Sequence, residues 1–310
     1  MQPSNSIRSY PLYNEADFWR VRDLLIESYP VTPLGFNWEI RRWDGKRFYE
    51  ANPQWPGQCL AGRVQLWETK AGRLVGVVIP DGEGDAHLQL HPDFRHLEAE
   101  MVTWAEDHLA CANSAGERQL EIFVYEYDVT RQQLLVQRGY SQLPDGGVIR
   151  RLHLPEHPLD PPLIAPGYTI RTTHPDDLAD CQRIADLLNA AFNRTFHNAL
   201  EYQNFTRLAP SFCPTLDLVA VAPAGLFAAY VGIPYDKANR HGIFEPVCTH
   251  PDHRLRGLAR TLMIEGLQRL RAMGATDATV ETGDMIPANR LYDSIGFCEV
   301  CKGHVWRKVF

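Results

Sequence analysis

Apolar and polar positions alternate along this chain in two blocks of the same design. In residues 6–30 a short extended run is followed by a turn and then by Phe18, Val21, Leu24 and Leu25 at helical spacing. Residues 169–192 repeat that order, and the two stretches align at one constant offset. Ile7 falls on Ile170, Arg8 on Arg171, Asp17 on Asp180, Arg20 on Arg183, and Leu24-Leu25 on Leu187-Leu188. Further along, His91-Pro92-Asp93-Phe94-Arg95 falls on His250-Pro251-Asp252-His253-Arg254, and Gly139-Tyr140 on Gly296-Phe297. Three matches in the same order imply a duplicated fold.

Within the first block the patterns predict strands at 62–67, 73–79, 86–90, 120–125 and 147–154, with helices at 97–111 and 130–138. The second block predicts strands at 216–222, 225–233, 244–249, 279–282 and 300–309, with helices at 258–273 and 288–294. Between the blocks, residues 153–167 read H-L-P-E-H-P-L-D-P-P-L-I-A-P-G, which propagates neither helix nor central strand and serves as a linker. The division expected is a domain at 1–154, a Pro-rich linker at 155–167 and a second domain at 168–310. The aromatic segment that contains Trp38, Trp43 and Tyr49 reads as a core cluster, with a place in a cleft wall as the alternative.

A net charge of -7 over 310 residues argues against nucleic acid as a main partner, because phosphate contacts need surplus Lys and Arg. No apolar run approaches membrane-spanning length, and the start M-Q-P-S-N-S has no signal-like apolar core. Seven cysteines without a secretion signal read as reduced thiols in a cytoplasm. Cys298 and Cys301 form a lone C-x-x-C with no second pair, so no metal site is expected.

Chemistry concentrates in 247–262, V-C-T-H-P-D-H-R-L-R-G-L-A-R-T-L. A strand runs into a basic turn and then a helix start, where unpaired N–H groups and the helix dipole favour an anion. Arg254, Arg256 and Arg260 add charge, and Gly257 lets the backbone approach a ligand. R-L-R-G-L-A at 254–259 and L-Y-D-S-I-G-F at 291–297 resemble the signatures of the GNAT superfamily of N-acetyltransferases. The first half resembles the same fold more faintly. The resemblance implies an α/β protein of two tandem GNAT-like domains, each a mixed, mostly antiparallel twisted sheet flanked by helices.

It further implies acetyl-CoA as co-substrate and a small-molecule amine as acceptor. The pyrophosphate would sit on the Arg254-Leu255-Arg256-Gly257-Leu258-Ala259-Arg260-Thr261 loop, and the pantetheine arm along Val247, Cys248 and Thr249. Tyr292 would be the general acid. The Asn that the family often places seven residues before this Tyr falls on Met285 here; Asn289 is the nearby candidate for that contact.

Among the residues themselves, Glu245 is the candidate general base. Strand alternation puts it on one face with Val247 and Thr249, and Pro246 forces the strand to bulge or splay. The other reading of Glu245 is a pair with a structural arginine. His250-Pro251-Asp252 recurs as His91-Pro92-Asp93, which favours a turn. Residues 192–205, rich in aromatic and amide groups, either recognise the amine or form a surface helix. In the first half, Leu97, Glu98 and Glu100 replace Arg256, Gly257 and Ala259, and Leu135 stands in the place of Tyr292, so that half is read as non-catalytic. Two other functions stay open: a CoA-binding regulatory protein without turnover, and acylation of a peptide N-terminus.

Overall fold

The computed structural model describes residues 7–49, 55–56, 60–154, 161–283 and 285–310. The first residues of the expected linker, 155–160, lie outside that set. In chain order the first elements are β1 (Ile7–Pro11), α1 (Glu15–Ser28), α2 (Ile40–Phe48), β2 (Gln65–Thr69), β3 (Leu74–Ile79), β4 (Asp85–Leu90), α3 (Glu98–His108), β5 (Cys111–Ala112), β6 (Arg118–Tyr125), α4 (Val129–Gln137) and β7 (Ser141–His153). There follow β8 (Thr169–Thr172), α5 (Leu178–Phe192), α6 (Ala199–Leu208), β9 (Asp217–Val221), β10 (Phe227–Gly232), β11 (Tyr235–Asp236) and β12 (His241–Ile243). The last are β13 (Val247–Thr249), α7 (Leu258–Ala272), β14 (Asp277–Gly283), α8 (Ile286–Ile295) and β15 (Glu299–Val309). Every predicted strand and helix has a counterpart, with ends shifted by a few residues and one predicted strand, 244–249, interrupted.

Contacts divide the chain into two compact units. The first holds residues 7–39, the described part of 52–149, and 301–310; the second holds 40–49 and the described part of 150–300. This departs from the expected division in three places. Residues 301–310 fall in the first unit because Gly303–Val309 pairs antiparallel with Tyr125–Gln119 of β6. Residues 40–49 and 150–154 fall in the second. There the N–H of Leu154 donates to the Thr276 carbonyl.

In the first unit β1, β2, β3 and β4 are successive antiparallel neighbours, and β4 joins β6 in parallel. The L-V-G-V-V-I of β3 is buried throughout, as a strand covered on both faces must be. Trp67, Val78, Leu90, Met101, Leu120 and Trp306 belong to its core.

The second unit has two sheets. β8, β9, β10 and β13 form an antiparallel four-stranded sheet with β13 at one edge. β12 pairs in parallel with β14 and antiparallel with β11. α7 buries Leu258, Leu262, Met263, Leu267 and Leu270 on one stripe, and these join Val231, Phe244 and Val280 in a shared core. Fully burying each such side chain is worth about 1.5–3 kcal/mol, which makes this helix a fixed platform for the loop that precedes it.

Candidate active site

The interrupted strand sets up the site. After Ile243 the N–H of Phe244 still bonds the Thr279 carbonyl of β14 at 2.8 Å. The next N–H, of Glu245, turns to the Gly232 carbonyl at 3.0 Å, and Gly232 returns a bond to the Pro246 carbonyl at 3.1 Å. The chain thus leaves one sheet and enters the other across a cis Glu245–Pro246 peptide. Proline has no N–H to continue a ladder, so the break falls where the sequence puts it. β13 then pairs with β10 through Val231–Val247, Tyr230–Cys248 and Ala229–Thr249. Its other side is a sheet edge with backbone groups free to pair with an extended ligand.

Glu245 and Val247 face a cavity of about 430 Å³ that Tyr292 also lines. Cys248 points the opposite way into the cluster of Cys181, Ile184 and Tyr230. Burial pushes its thiol up to about 12, so it packs and does not react.

Tyr292 is placed by the end of α8. Gly296 takes φ 105°, a left-handed conformation that costs other residues dearly, and closes the helix. The turn brings the buried Phe297 back under Tyr292, with ring centroids 6.2 Å apart, and against Phe244 at 5.7 Å. The Gly-Phe pair, which repeats the Gly139-Tyr140 of the first block, is therefore a helix stop plus an anchor. Burial first, and then the negative charge of Glu245, push the Tyr292 phenol up to about 12. Its hydroxyl has no hydrogen-bond partner among the described residues.

The basic loop has the form expected of an anion site. Leu255 and Gly257 both have positive φ, 60° and 72°, and no side chain caps the start of α7. Leu255 carries that conformation fully exposed. Arg256 and Arg260 are exposed and have no carboxylate partner among the described residues, whereas Arg254 donates to the Ala191 carbonyl at 3.1 Å. The residues present fit a pyrophosphate: free cations, uncapped N–H groups and no Cβ at position 257. One expected contact is corrected. The N–H of Thr261 already bonds Gly257 at 2.9 Å and its hydroxyl bonds Leu163 at 2.7 Å, so the run of free N–H groups ends at Arg260.

Asn289 is likewise committed. Its amide donates to the Gly283 and Met285 carbonyls and accepts from Arg150 Nε at 3.0 Å. It braces the start of α8 and does not line the cavity.

His250 caps its own turn, its Nδ1 accepting from the N–H of Asp252 at 3.3 Å; His91 does the same for Asp93 at 3.3 Å. Both histidines are turn formers, as their repetition implies.

One wall of the cavity is built from α5, the turn after it and α6. Asn193 ends α5 in the left-handed conformation, and Asn198 caps α6. Of 192–205, the side chains Phe192, Arg194, His197, Glu201, Tyr202 and Phe205 line the cavity. His197 Nδ1 lies 3.1 Å from Glu201 Oε2.

Two groups escape sequence reasoning. Asp217, which opens β9, is fully buried and lines the cavity, accepting from Thr173 Oγ1, Tyr202 Oη and, at 2.6 Å, Tyr230 Oη. Burial raises its carboxyl above the ordinary range, against the lowering by the three hydroxyls. A lone Asp before L-V-A-V carries no signal of its partners. The second is Arg41, in the cavity wall beside Tyr49, the one residue of the aromatic trio found in that wall. Trp43 of the same helix is fully buried, in line with a core reading.

In the first unit the matching loop holds its own carboxylate. Glu98, at the place of Gly257, accepts from Arg95 Nε and Nη2, each at 3.1 Å, and from Arg131 Nη2 at 2.9 Å. Asp128 accepts from Arg95 at 2.6 Å. Glu100 accepts from Trp67 Nε1 at 2.8 Å, and Leu135 is fully buried.

Residues 182–297 match the family model for the Acetyltransferase (GNAT) family. Among solved structures, a GCN5-related N-acetyltransferase from Sphaerobacter thermophilus superposes with a TM-score of 0.67 at 19% identity, covering 100% of this chain and 97% of that one. A tandem GNAT protein from the clavulanic acid biosynthesis pathway gives 0.66 at 19% identity, covering 98% of each chain. A GNAT-family acetyltransferase from Colwellia psychrerythraea gives 0.58 at 14% identity over 98% of this chain and 99% of that one. At these identities the likeness is one of fold, and it extends over the whole chain. No curated protein matches in sequence.

Proposed function

We propose that the protein, residues 182–297 of which match the Acetyltransferase (GNAT) family model, moves an acetyl group from acetyl-CoA to a primary amine of a small molecule. The observation that carries this reading is that Glu245 and Tyr292 line one cavity, at the point where the chain passes between sheets and β13 leaves an edge free. Glu245 accepts a proton from the acceptor ammonium. The freed nitrogen attacks the thioester carbonyl, and the C–S bond breaks as the amide forms; the second proton that the nitrogen sheds at this step goes to the departing sulfur, which leaves as the CoA thiol. The 254–260 loop holds the pyrophosphate. The first half does not catalyse, because Glu98 fills its matching site.

Tyr292 takes a modified role. A phenol near 12 is a poor match for a thiolate, which needs a proton only below about 8.5; full transfer is uphill by about 5 kcal/mol. Tyr292 therefore acts first as a hydrogen-bond donor to the charge growing on sulfur. Once Glu245 has taken the amine proton its charge is gone, the Tyr292 phenol comes down, and proton delivery becomes easier.

A cavity of this size suits a small acceptor better than a peptide chain. The test is CoA release from acetyl-CoA over a panel of amines. Turnover by the wild type and its loss in Glu245→Gln support the proposal. CoA binding with no turnover on any amine would favour a regulatory role and defeat it.

A further inference from the structure

Helix α2 belongs to the second unit although it comes from the first block of the sequence. Three features fix it there. Trp43 and Asp44 are fully buried, Ile40 is nearly so, and Asp44 Oδ2 accepts from the N–H of Ser211 at 3.2 Å. A docked tryptophan and a buried backbone–carboxylate bond do not describe a loose surface helix.

That docking delivers Arg41 to the cavity. Arg41 Nη1 lies 3.0 Å from Glu245 Oε1, with side-chain exposures of 16% and 34%. Its Nη2 donates to Tyr49 Oη at 2.8 Å, and its guanidinium carbon is 5.6 Å from the Tyr49 ring centre. Tyr49 is held in turn. Its ring stacks on Phe205, 4.7 Å between centroids and 17° between planes. Gly45 makes the room: a Cβ there would come within 2.8 Å of the Tyr49 ring. The guanidinium is thus gripped by Tyr49 on one side and aimed at Glu245 on the other.

We propose that Arg41 is a positioning residue for Glu245, and that residues 40–49 therefore complete the acetyl-transfer site of the second unit. The inference rests on Glu245 as the base. A guanidinium fixed by Tyr49 holds the carboxylate in one orientation toward the cavity. The groups around the pair are Tyr49 and Arg42 on the segment that carries Arg41, Tyr230 on β10 and Tyr292 on α8; of these only Arg42 is charged at neutral pH. Arg42 is itself paired with Glu281 at 2.7 Å.

Two measurements on the full-length protein test the proposal. The first is a crystal structure of Arg41→Gln and of Arg41→Lys. It needs no acceptor. In Arg41→Gln the Glu245 carboxylate should leave its place in the cavity wall, and in Arg41→Lys it should keep it. A carboxylate unmoved in Arg41→Gln overturns the proposal.

The second is a double-mutant cycle on kcat with acetyl-CoA and 2-phenylethylamine, an amine suited to the aromatic wall. Arg41→Gln should lower kcat by about 10- to 100-fold, leaving the KM for acetyl-CoA within about twofold. In the Glu245→Gln background the same change should cost nothing further, because Arg41 acts through Glu245. Additive losses would make Arg41 independent of Glu245 and overturn the proposal. Full activity in Glu245→Gln would instead remove the base reading on which it stands, a result the single Arg41 variants cannot produce.

Discussion

Gly257→Glu writes into the second unit the residue that the first unit carries at the matching place. A parallel Gly257→Ala separates backbone strain from charge. The site has φ 72°, and a Cβ built there meets nothing within 4 Å. Alanine therefore clashes with nothing and bears only the left-handed cost, about 1–2 kcal/mol. Since one tenfold step in affinity is about 1.4 kcal/mol, Ala should weaken acetyl-CoA by about tenfold if the strain is felt on binding. Glutamate adds a charge. At about 4 Å from a phosphate oxygen, like charges repel by about 1 kcal/mol in bulk water and about 4 kcal/mol at an effective dielectric of 20. The added loss is thus between about fivefold and about a thousandfold, larger at low salt. Isothermal titration with CoA, beside a thermal melt to show that both variants fold, reads these terms directly. Equal affinity of the Glu and Ala variants would refute the placement of an anion at this loop. Wild-type affinity in both would refute the site.

Other expectations follow from the same geometry. Tyr292→Phe should lower kcat by about 10²–10³-fold with CoA affinity unchanged in titration; a full-rate Phe variant would remove Tyr292 from the chemistry. Glu98→Gln removes one of the two carboxylates shared by Arg95 and Arg131 and should cost about 1.5–3 kcal/mol in chemical denaturation, because Asp128 still pairs with both. The same variant should keep the wild-type KM for acetyl-CoA, and a raised KM would mean that the first loop takes part in donor binding. Burial raises the phenols of Tyr140, Tyr202, Tyr230 and Tyr292. Above about pH 10 the unfolded chain releases these protons and the folded one does not, so the stability is whole below pH 10 and falls with rising pH by about 1.4 kcal/mol per pH unit for each such Tyr. Melting temperatures level up to pH 12 would contradict those shifts.

Features set by neighbours along the chain are legible in the sequence. The histidine-capped turn, the apolar stripe of α7, the Gly296 stop and the break at Pro246 each depend on a few adjacent residues, and each occurs where the pattern places it. Glu245 is legible as a carboxylate out of place in a strand; it lines the cavity and, as one of its readings has it, pairs with an arginine. That this arginine is Arg41 is not legible, because nothing in R-R-W-D-G-K-R marks which of its charges reaches a strand some two hundred residues on. Asp217 stays hidden for the same reason, since its partners Thr173, Tyr202 and Tyr230 come from three separate places in the chain. Thr261 and Asn289 differ from their motif roles on a finer point. A motif names residues, but only the fold says which of their N–H and amide groups are already in use.

The exchange of segments also has a bearing on synthesis at the ribosome. β6 is flanked by β4 on one side and by residues 303–309 of β15 on the other. The second of these neighbours is translated only after the whole of α5 to α8. Throughout that interval the nascent first unit exposes a row of unpaired peptide groups along seven residues of β6, Gln119–Tyr125, the kind of open border on which strangers add strands. The polar Gln119 and Glu121 on one face of the strand make that border less inviting. Arg307 and Glu121, 2.5 Å apart in the finished sheet, then form an ion pair that tells the arriving strand in which register to lie.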